Sequence, residues 1–82
     1  MEVEQQVRQF IIDSLRWHGS AASLGSDYPL IEHDVLDSMG IFEMITYLED
    51  QFGIEVQDDD LVPENFQTIA AIARLVSKSQ AR

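Results

Sequence analysis

The sequence predicts an all-α fold, a small three- to four-helix bundle with a long loop between helices one and two. Three observations predict it. Apolar residues recur at three- and four-residue spacing in three separate stretches, no stretch alternates long enough to build a sheet, and one long segment rich in Gly, Ser and Asp separates the first two helical stretches. Eighty-two residues make one domain, read as residues 1–82 with an ordered core over about 2–78. A chain this short buries only a little over ~60% of the surface it exposes when unfolded, which leaves no room for a deep, walled active site.

Helix one is expected from Glu2 to about Trp17, with Val3, Val7, Phe10, Ile11, Ser14 and Leu15 on one stripe and Glu4, Arg8 and Asp13 turned elsewhere. From Gly19 to Asp37 the turn and breaker residues Ser20, Ser23, Gly25, Ser26, Asp27 and Pro29 predict a loop. Loops this long in compact domains serve function or pack down, and Tyr28, Leu30, Ile31 and Leu36 are apolar anchors that would tack it to the core. His33 among turn residues reads as a solvated surface histidine, and His18 would sit just past the C-terminus of helix one, where a cation is favoured.

Helix two should run from Ser38 or Met39 to about Phe52 and stop at Gly53, the residue best able to take a left-handed turn. Phe42, Ile45, Leu48 and Phe52 are its core candidates. Met39, Ile41 and Met44 cannot all face inward, because successive helical positions differ by about 100 degrees. Apolar surface is therefore expected near Ser38, ringed by Glu43, Glu49 and Asp50. Ile54-Glu55-Val56 reads as an extended connector and Asp58-Asp59-Asp60 as a solvated acidic turn, since the ligand spacing and central glycine of a calcium loop are missing. A short helix from about Pro63 is expected. Thr68 then caps a last helix whose inward stripe is Ile69, Ile72, Ala73 and Val76, with Arg74, Lys78 and Arg82 toward its end and fraying from Ser77 onward.

Charge narrows the partners. Net charge is −10, and between Trp17 and Ala73 there are 12 acids and no Lys or Arg. A field of one sign repels nucleic acid and anionic membrane and draws in proteins with basic patches. There is no cysteine, no apolar N-terminal run and no apolar run longer than Ile69 to Ala73, so no disulfide, signal peptide or membrane span is expected and the chain reads as cytoplasmic and monomeric.

Ser38 stands where loop becomes helix. Serine there can cap a free backbone N–H, a contact worth about 1 kcal/mol, but Asp37 can do the same. The acid of a capping box is missing, because the residue three further on is Ile41. That leaves the hydroxyl of Ser38 for another task, at a helix N-terminus that favours an attached phosphate. Gly40 beside it would keep the approach open.

Leu36-Asp37-Ser38-Met39 followed by an amphipathic, acid-dotted helix resembles the attachment site of the acyl carrier and peptidyl carrier protein family, whose pattern is Asp-Ser-Leu. The resemblance extends from the first helix through Val76. It implies a carrier rather than an enzyme, with Ser38 esterified by 4'-phosphopantetheine from coenzyme A through a phosphopantetheinyl transferase and a divalent metal. The arm's thiol would hold an acyl or aminoacyl thioester for lipid or peptide biosynthesis. A loading ligase and a downstream acyltransferase or synthase with basic patches would be the other partners. Asp37, Met39, Phe42, Glu43, Glu49 and Asp50 match positions where related carriers meet partners. Ile41, where many fatty-acid carriers have a polar residue, Val35-Leu36 in place of Gly-x, Gly40 and the Asn65-Phe66-Gln67-Thr68 segment look nearer to stand-alone D-alanyl or aminoacyl carriers. Bulky Phe42 and Phe66 are expected to leave little room for a long sequestered chain.

Two other classes compete. A small acidic adaptor would use helix two without a covalent arm. A serine hydrolase needs a base oriented on the nucleophile and oxyanion donors, and His18 and His33 offer no such spacing.

Overall fold

The computed structural model describes residues 3–15, 17, 19 and 21–81. Among them are three α-helices, α1 (Val3–Ser14), α2 (Ser38–Phe52) and α3 (Ile69–Ala81), with single 3-10 turns at Ala21–Ser23, Asp58–Asp60 and Pro63–Asn65. The small helical bundle with a long first loop is the architecture that the apolar spacing predicts.

Each helix contributes one stripe to a single core. Val7 and Ile11 come from α1, Met44 and Leu48 from α2, and Ile69, Ile72, Leu75 and Val76 from α3, which packs chiefly against α1. The α1 helix ends at Ser14 instead of continuing to about Trp17. Beyond it the indole of Trp17 packs edge-on against Tyr28 of the loop, with ring centroids 5.1 Å apart. His18 lies outside the described residues. Ser14, placed on the inward stripe by spacing, is exposed at the helix end.

The loop is tacked down, by the expected Leu30 and Leu36, both buried, with Tyr28 and Ile31 half-buried against the core, and also by Leu24 and Val35, which are buried too. Polar bonds hold it as well. Arg8 donates through Nε to the carbonyl of Leu24 at 2.7 Å and through Nη2 to Ser26 Oγ at 3.3 Å. Ser26 Oγ in turn donates to Glu4. The loop also meets the start of α3: Ala70 N–H donates to the carbonyl of Ser26 at 3.1 Å, and Leu30 N–H to that of Gln67 at 2.8 Å. Thr68 Oγ1 accepts from Ala71 N–H at 3.0 Å, the cap its position predicts. Two first-turn donors of α3 are thus satisfied, one from within and one by the loop.

Asp34 adopts a left-handed backbone, φ 60, which aspartate tolerates better than most residues. It reverses the chain so that Val35 and Leu36 N–H both donate to the carbonyl of Leu30, at 2.9 and 3.1 Å. That turn aims the chain into α2.

Helix α2 stops at Gly53, φ 64, whose N–H donates to the Glu49 carbonyl. Its inward face differs from the expected one. Met44 is fully buried while Phe42 is 67% exposed, with Ile45 and Phe52 half-buried. Met44 and Leu48 lie four residues apart on one stripe, and Phe42 lies about 120 degrees away from Leu48 around the helix. Tyr47 takes the α1 side, stacked on Phe10 at 4.3 Å and donating its hydroxyl to the Gln6 carbonyl at 3.2 Å. Burial pushes the Tyr47 hydroxyl pKa up, which keeps the donor protonated.

Two further expectations give way. Helix α3 remains helical through Ala81 instead of fraying from Ser77, and Leu75 and Ala71 join its buried stripe. Of the acidic triplet, Asp58 and Asp59 are exposed but Asp60 is 1% exposed. Its Oδ2 accepts Gln57 N–H at 3.1 Å and its Oδ1 lies 3.4 Å from Lys78 Nζ. Its backbone carbonyl accepts from Asn65 Nδ2 at 2.8 Å and from Val62 N–H at 2.9 Å. A buried carboxylate is tolerable because it is bonded on both oxygens.

Removing that acceptor orphans the Gln57 donor, so Asp60→Ala is expected to cost about 1–3 kcal/mol in urea unfolding. Lys78 is largely exposed, and Lys78→Met should cost under about 1 kcal/mol. Equal losses would contradict this account of Asp60.

Candidate functional site

The site is built where the anchored loop hands over to α2. Asp37 is in extended conformation, φ −97 and ψ −170, and its Oδ1 accepts from Gly40 N–H at 2.8 Å. Its carbonyl accepts the first helical bond, from Ile41 N–H at 2.8 Å. Asp37 is therefore the N-cap, and Ser38 is the first residue of the helix.

Ser38 is exposed, and none of the described hydrogen bonds engages its hydroxyl. First-turn positions also leave the N–H groups of Ser38 and Met39 without an intrahelical partner. An oxygen open to solvent with unpaired N–H groups beside it fits a phosphodiester, since the helix end stabilises negative charge.

Gly40 has a different role from the expected one. It is buried, and a Cβ there would meet Asp37 Oδ1 and Leu36 Cδ1, each at 3.3 Å, and Leu15 Cδ2 at 3.8 Å. The missing side chain lets the first turn of α2 sit down on Leu36 and Leu15 with the cap in place, and does nothing to the outer approach to Ser38.

The remaining predicted positions divide. Met39 and Phe42 are 68% and 67% exposed, and Glu43 and Asp50 are exposed too. These share the outer surface of α2 with Ser38. Glu49 is half-buried, and its Oε2 accepts Val56 N–H at 3.0 Å, which fastens the extended connector to α2. At eleven residues past Ser38 it stands roughly 16 Å further along the helix axis. His33 is exposed, as expected, with its ring 5.1 Å from that of Tyr28. Among the described residues no group of acids or histidines could hold a metal ion.

An apolar cavity of about 230 Å³ opens between α2 and the segment before α3, lined by Ile31, Ile41, Leu61, Val62, Pro63 and Phe66. Ile41 belongs to the first turn of α2. Periodicity could not find this cavity, because Leu61 and Val62 lie in an irregular segment.

Comparison with known proteins is decisive at this point: residues 5–76 match the family described as phosphopantetheine attachment site. The chain belongs to that family. An acyl carrier protein of Nitratidesulfovibrio vulgaris is 35% identical over 60 residues, 73% of this chain and 76% of the relative. One from Solidesulfovibrio magneticus is 32% identical over 60 residues, 73% and 74% of the two chains. The solution NMR structure of a holo acyl carrier protein from Nitrosomonas europaea superimposes with TM-score 0.82 at 28% identity, over 100% of both chains. The chain is thus an acyl carrier that bears 4'-phosphopantetheine covalently, and the matches do not favour an adaptor without the arm. Among the described residues no helix is long and apolar enough to cross a membrane.

The division of labour between Asp37 and Ser38 gives a direct test. Asp37→Ala is expected to destabilise the unmodified protein by about 1 kcal/mol in urea unfolding, the usual loss of an N-cap. Ser38→Ala should stay within about 0.5 kcal/mol of the wild type, as exposed substitutions do. The reverse order would assign the cap to the serine.

Proposed function

We propose that Ser38 bears the arm and that the chain presents a small acyl or aminoacyl group on it to separate enzymes. The observation that carries this is the serine hydroxyl itself, exposed at the N-terminus of α2 and engaged by none of the hydrogen bonds among the described residues, while Asp37 makes the cap. When attached, the arm supplies the thiol that this cysteine-free chain lacks, and so the means to hold a thioester.

The chain's own residues do the holding and presenting. Ser38 provides the oxygen for the phosphodiester, and the first-turn N–H groups stabilise its charge. Asp37, Met39, Phe42, Glu43 and Asp50 form an apolar and acidic docking face around it. Glu49 contributes through its hold on Val56 more than as a free charge. Residues 1–82 act as a single carrier domain without catalysis of their own, working in the cytoplasm as a monomer. Partners are a phosphopantetheinyl transferase, a loading ligase and a downstream acyltransferase or synthase, each meeting the acidic face with basic residues.

A small cargo, of the aminoacyl or D-alanyl kind, fits the interior. Phe66 is 1% exposed and closes one side of the cavity. At about 230 Å³ that cavity holds on the order of eight water-sized volumes. Phe42 points to solvent and plays no part in limiting it.

Incubating the apo protein with coenzyme A and a broad-specificity transferase should add the mass of one phosphopantetheine, and Ser38→Ala should abolish the gain. No gain, or a gain that survives the substitution, would remove Ser38 from this role. Protein recovered from its native cells is expected to show a small acyl or aminoacyl load, and a long-chain load would overturn the cargo assignment.

A further inference from the structure

We infer that the outer face of α3 is a second docking surface, which receives an acidic helix of another protein and leaves α2 open. The inference goes beyond the carrier reading and does not depend on Ser38. It begins from a local reversal of charge on a chain that is acidic as a whole.

Helix α3 carries none of the chain's 15 acids, and Arg74 and Lys78 stand on it. Ile69, Ile72, Leu75 and Val76 turn to the core, so the helix presents Ala70, Ala73, Arg74 and Ser77 on its other side. A depression of about 620 Å³ runs along those four residues, and Glu4 of α1 and Asn65 also line it. From Ala70 to Ser77 is about 10 Å along the axis, the length of two helical turns. Among the described residues none from α2 lines the depression. A protein seated there therefore leaves the outer surface of α2 uncovered.

Side-chain size and charge name the occupant. Alanine and serine let a second helix axis come close, because the approach of two helices is set by the side chains between them. Glu4 is held by Ser26 Oγ, and Lys78 Nζ lies 3.4 Å from Asp60 Oδ1. Arg74 is exposed, and none of the described hydrogen bonds or ion pairs engages its guanidinium. That planar fork fits a carboxylate with two parallel bonds, and arginine is a frequent anchor at the centre of interfaces. A helix with small residues on its contacting face and one Asp or Glu over Arg74 meets both requirements. A second copy of this chain is the poorer occupant, since two chains of net charge −10 repel each other. A partner less acidic overall escapes that repulsion and needs only the local carboxylate.

The test is site-specific photocrosslinking in the protein's native cells, with p-benzoylphenylalanine in place of Gln80. That position is exposed and lies on the stripe of Ala73 and Ser77, one turn beyond the depression. The expected adduct joins a different protein, and mass spectrometry of the joined peptide should show an Asp or Glu within one helical turn of the crosslinked residue. Arg74→Glu should cut the yield about tenfold or more, since it sets two carboxylates against each other. Ser77→Trp fills the depression and should cut it as well. Gln51→Trp adds the same bulk at an exposed position of α2 and should leave the yield unchanged. No adduct, an adduct to a second copy of this chain, or a joined peptide without a nearby acid overturns the inference. So does a yield indifferent to Arg74→Glu, or one that falls equally in Gln51→Trp. Should Arg74→Glu lose its helical circular dichroism, Arg74→Gln is read in its place, with a fall of about threefold expected and an unchanged yield overturning the inference.

Discussion

The hydrogen bond from Gly40 N–H to Asp37 Oδ1 is the contact on which the site depends, because it settles which side chain closes the helix and which is left outside. A helix start has four donors without intrahelical partners and needs only a few of them capped. With aspartate in that position, the neighbouring serine is free of structural duty. Position 40 having no side chain suits the bond, since a Cβ there would stand at a tight 3.3 Å from both Asp37 Oδ1 and Leu36 Cδ1.

The cap can be placed this firmly because the loop before it is not loose. Arg8, Ser26 and Glu4 tie its first half to α1, Ser26 and Leu30 tie its middle to the start of α3, and the reversal at Asp34 delivers buried Val35 and Leu36 to the mouth of α2. The polar ties add direction to an apolar attachment. Buried Leu24, Leu30 and Leu36 would hold the loop near the core, but it is the bonds at Leu24, Ser26 and Leu30 that fix how it lies. At the other end of α2, Glu49 and Asp60 do similar work through backbone N–H groups of the connector. Several acids in this strongly acidic chain are thus structural acceptors, while Glu43 and Asp50 remain exposed on the surface.

Helix periodicity made the three helices legible, with Gly53 and Thr68 marking a stop and a start, and the Asp37-Ser38 pair pointed to the centre of the candidate site. What stayed hidden depends on long-range contacts. Phe42 and Met44 are both apolar and both within reach of a core stripe. Only the placement of α1 and α3 decides that Met44 goes in and Phe42 stays out. Asp60 looks like its solvated neighbours until Gln57 and Lys78 are brought around it. Gly40 reads as an opening beside the serine, and its inward role needs Leu15 and Leu36 in place. A depression between Phe10 and Ser14 of α1 and Phe42 and Thr46 of α2 likewise depends on a pairing that no local spacing encodes.

Amide hydrogen exchange at Gly40, followed by NMR in the unmodified and phosphopantetheine-bearing protein and in two variants, tests the separation of cap from tether most directly. Protection of that amide should be unchanged by modification and by Ser38→Ala, and should be lost in Asp37→Ala. Loss of protection on modification or in Ser38→Ala, with Asp37→Ala unaffected, would mean that the serine closes the helix and is not free to carry anything.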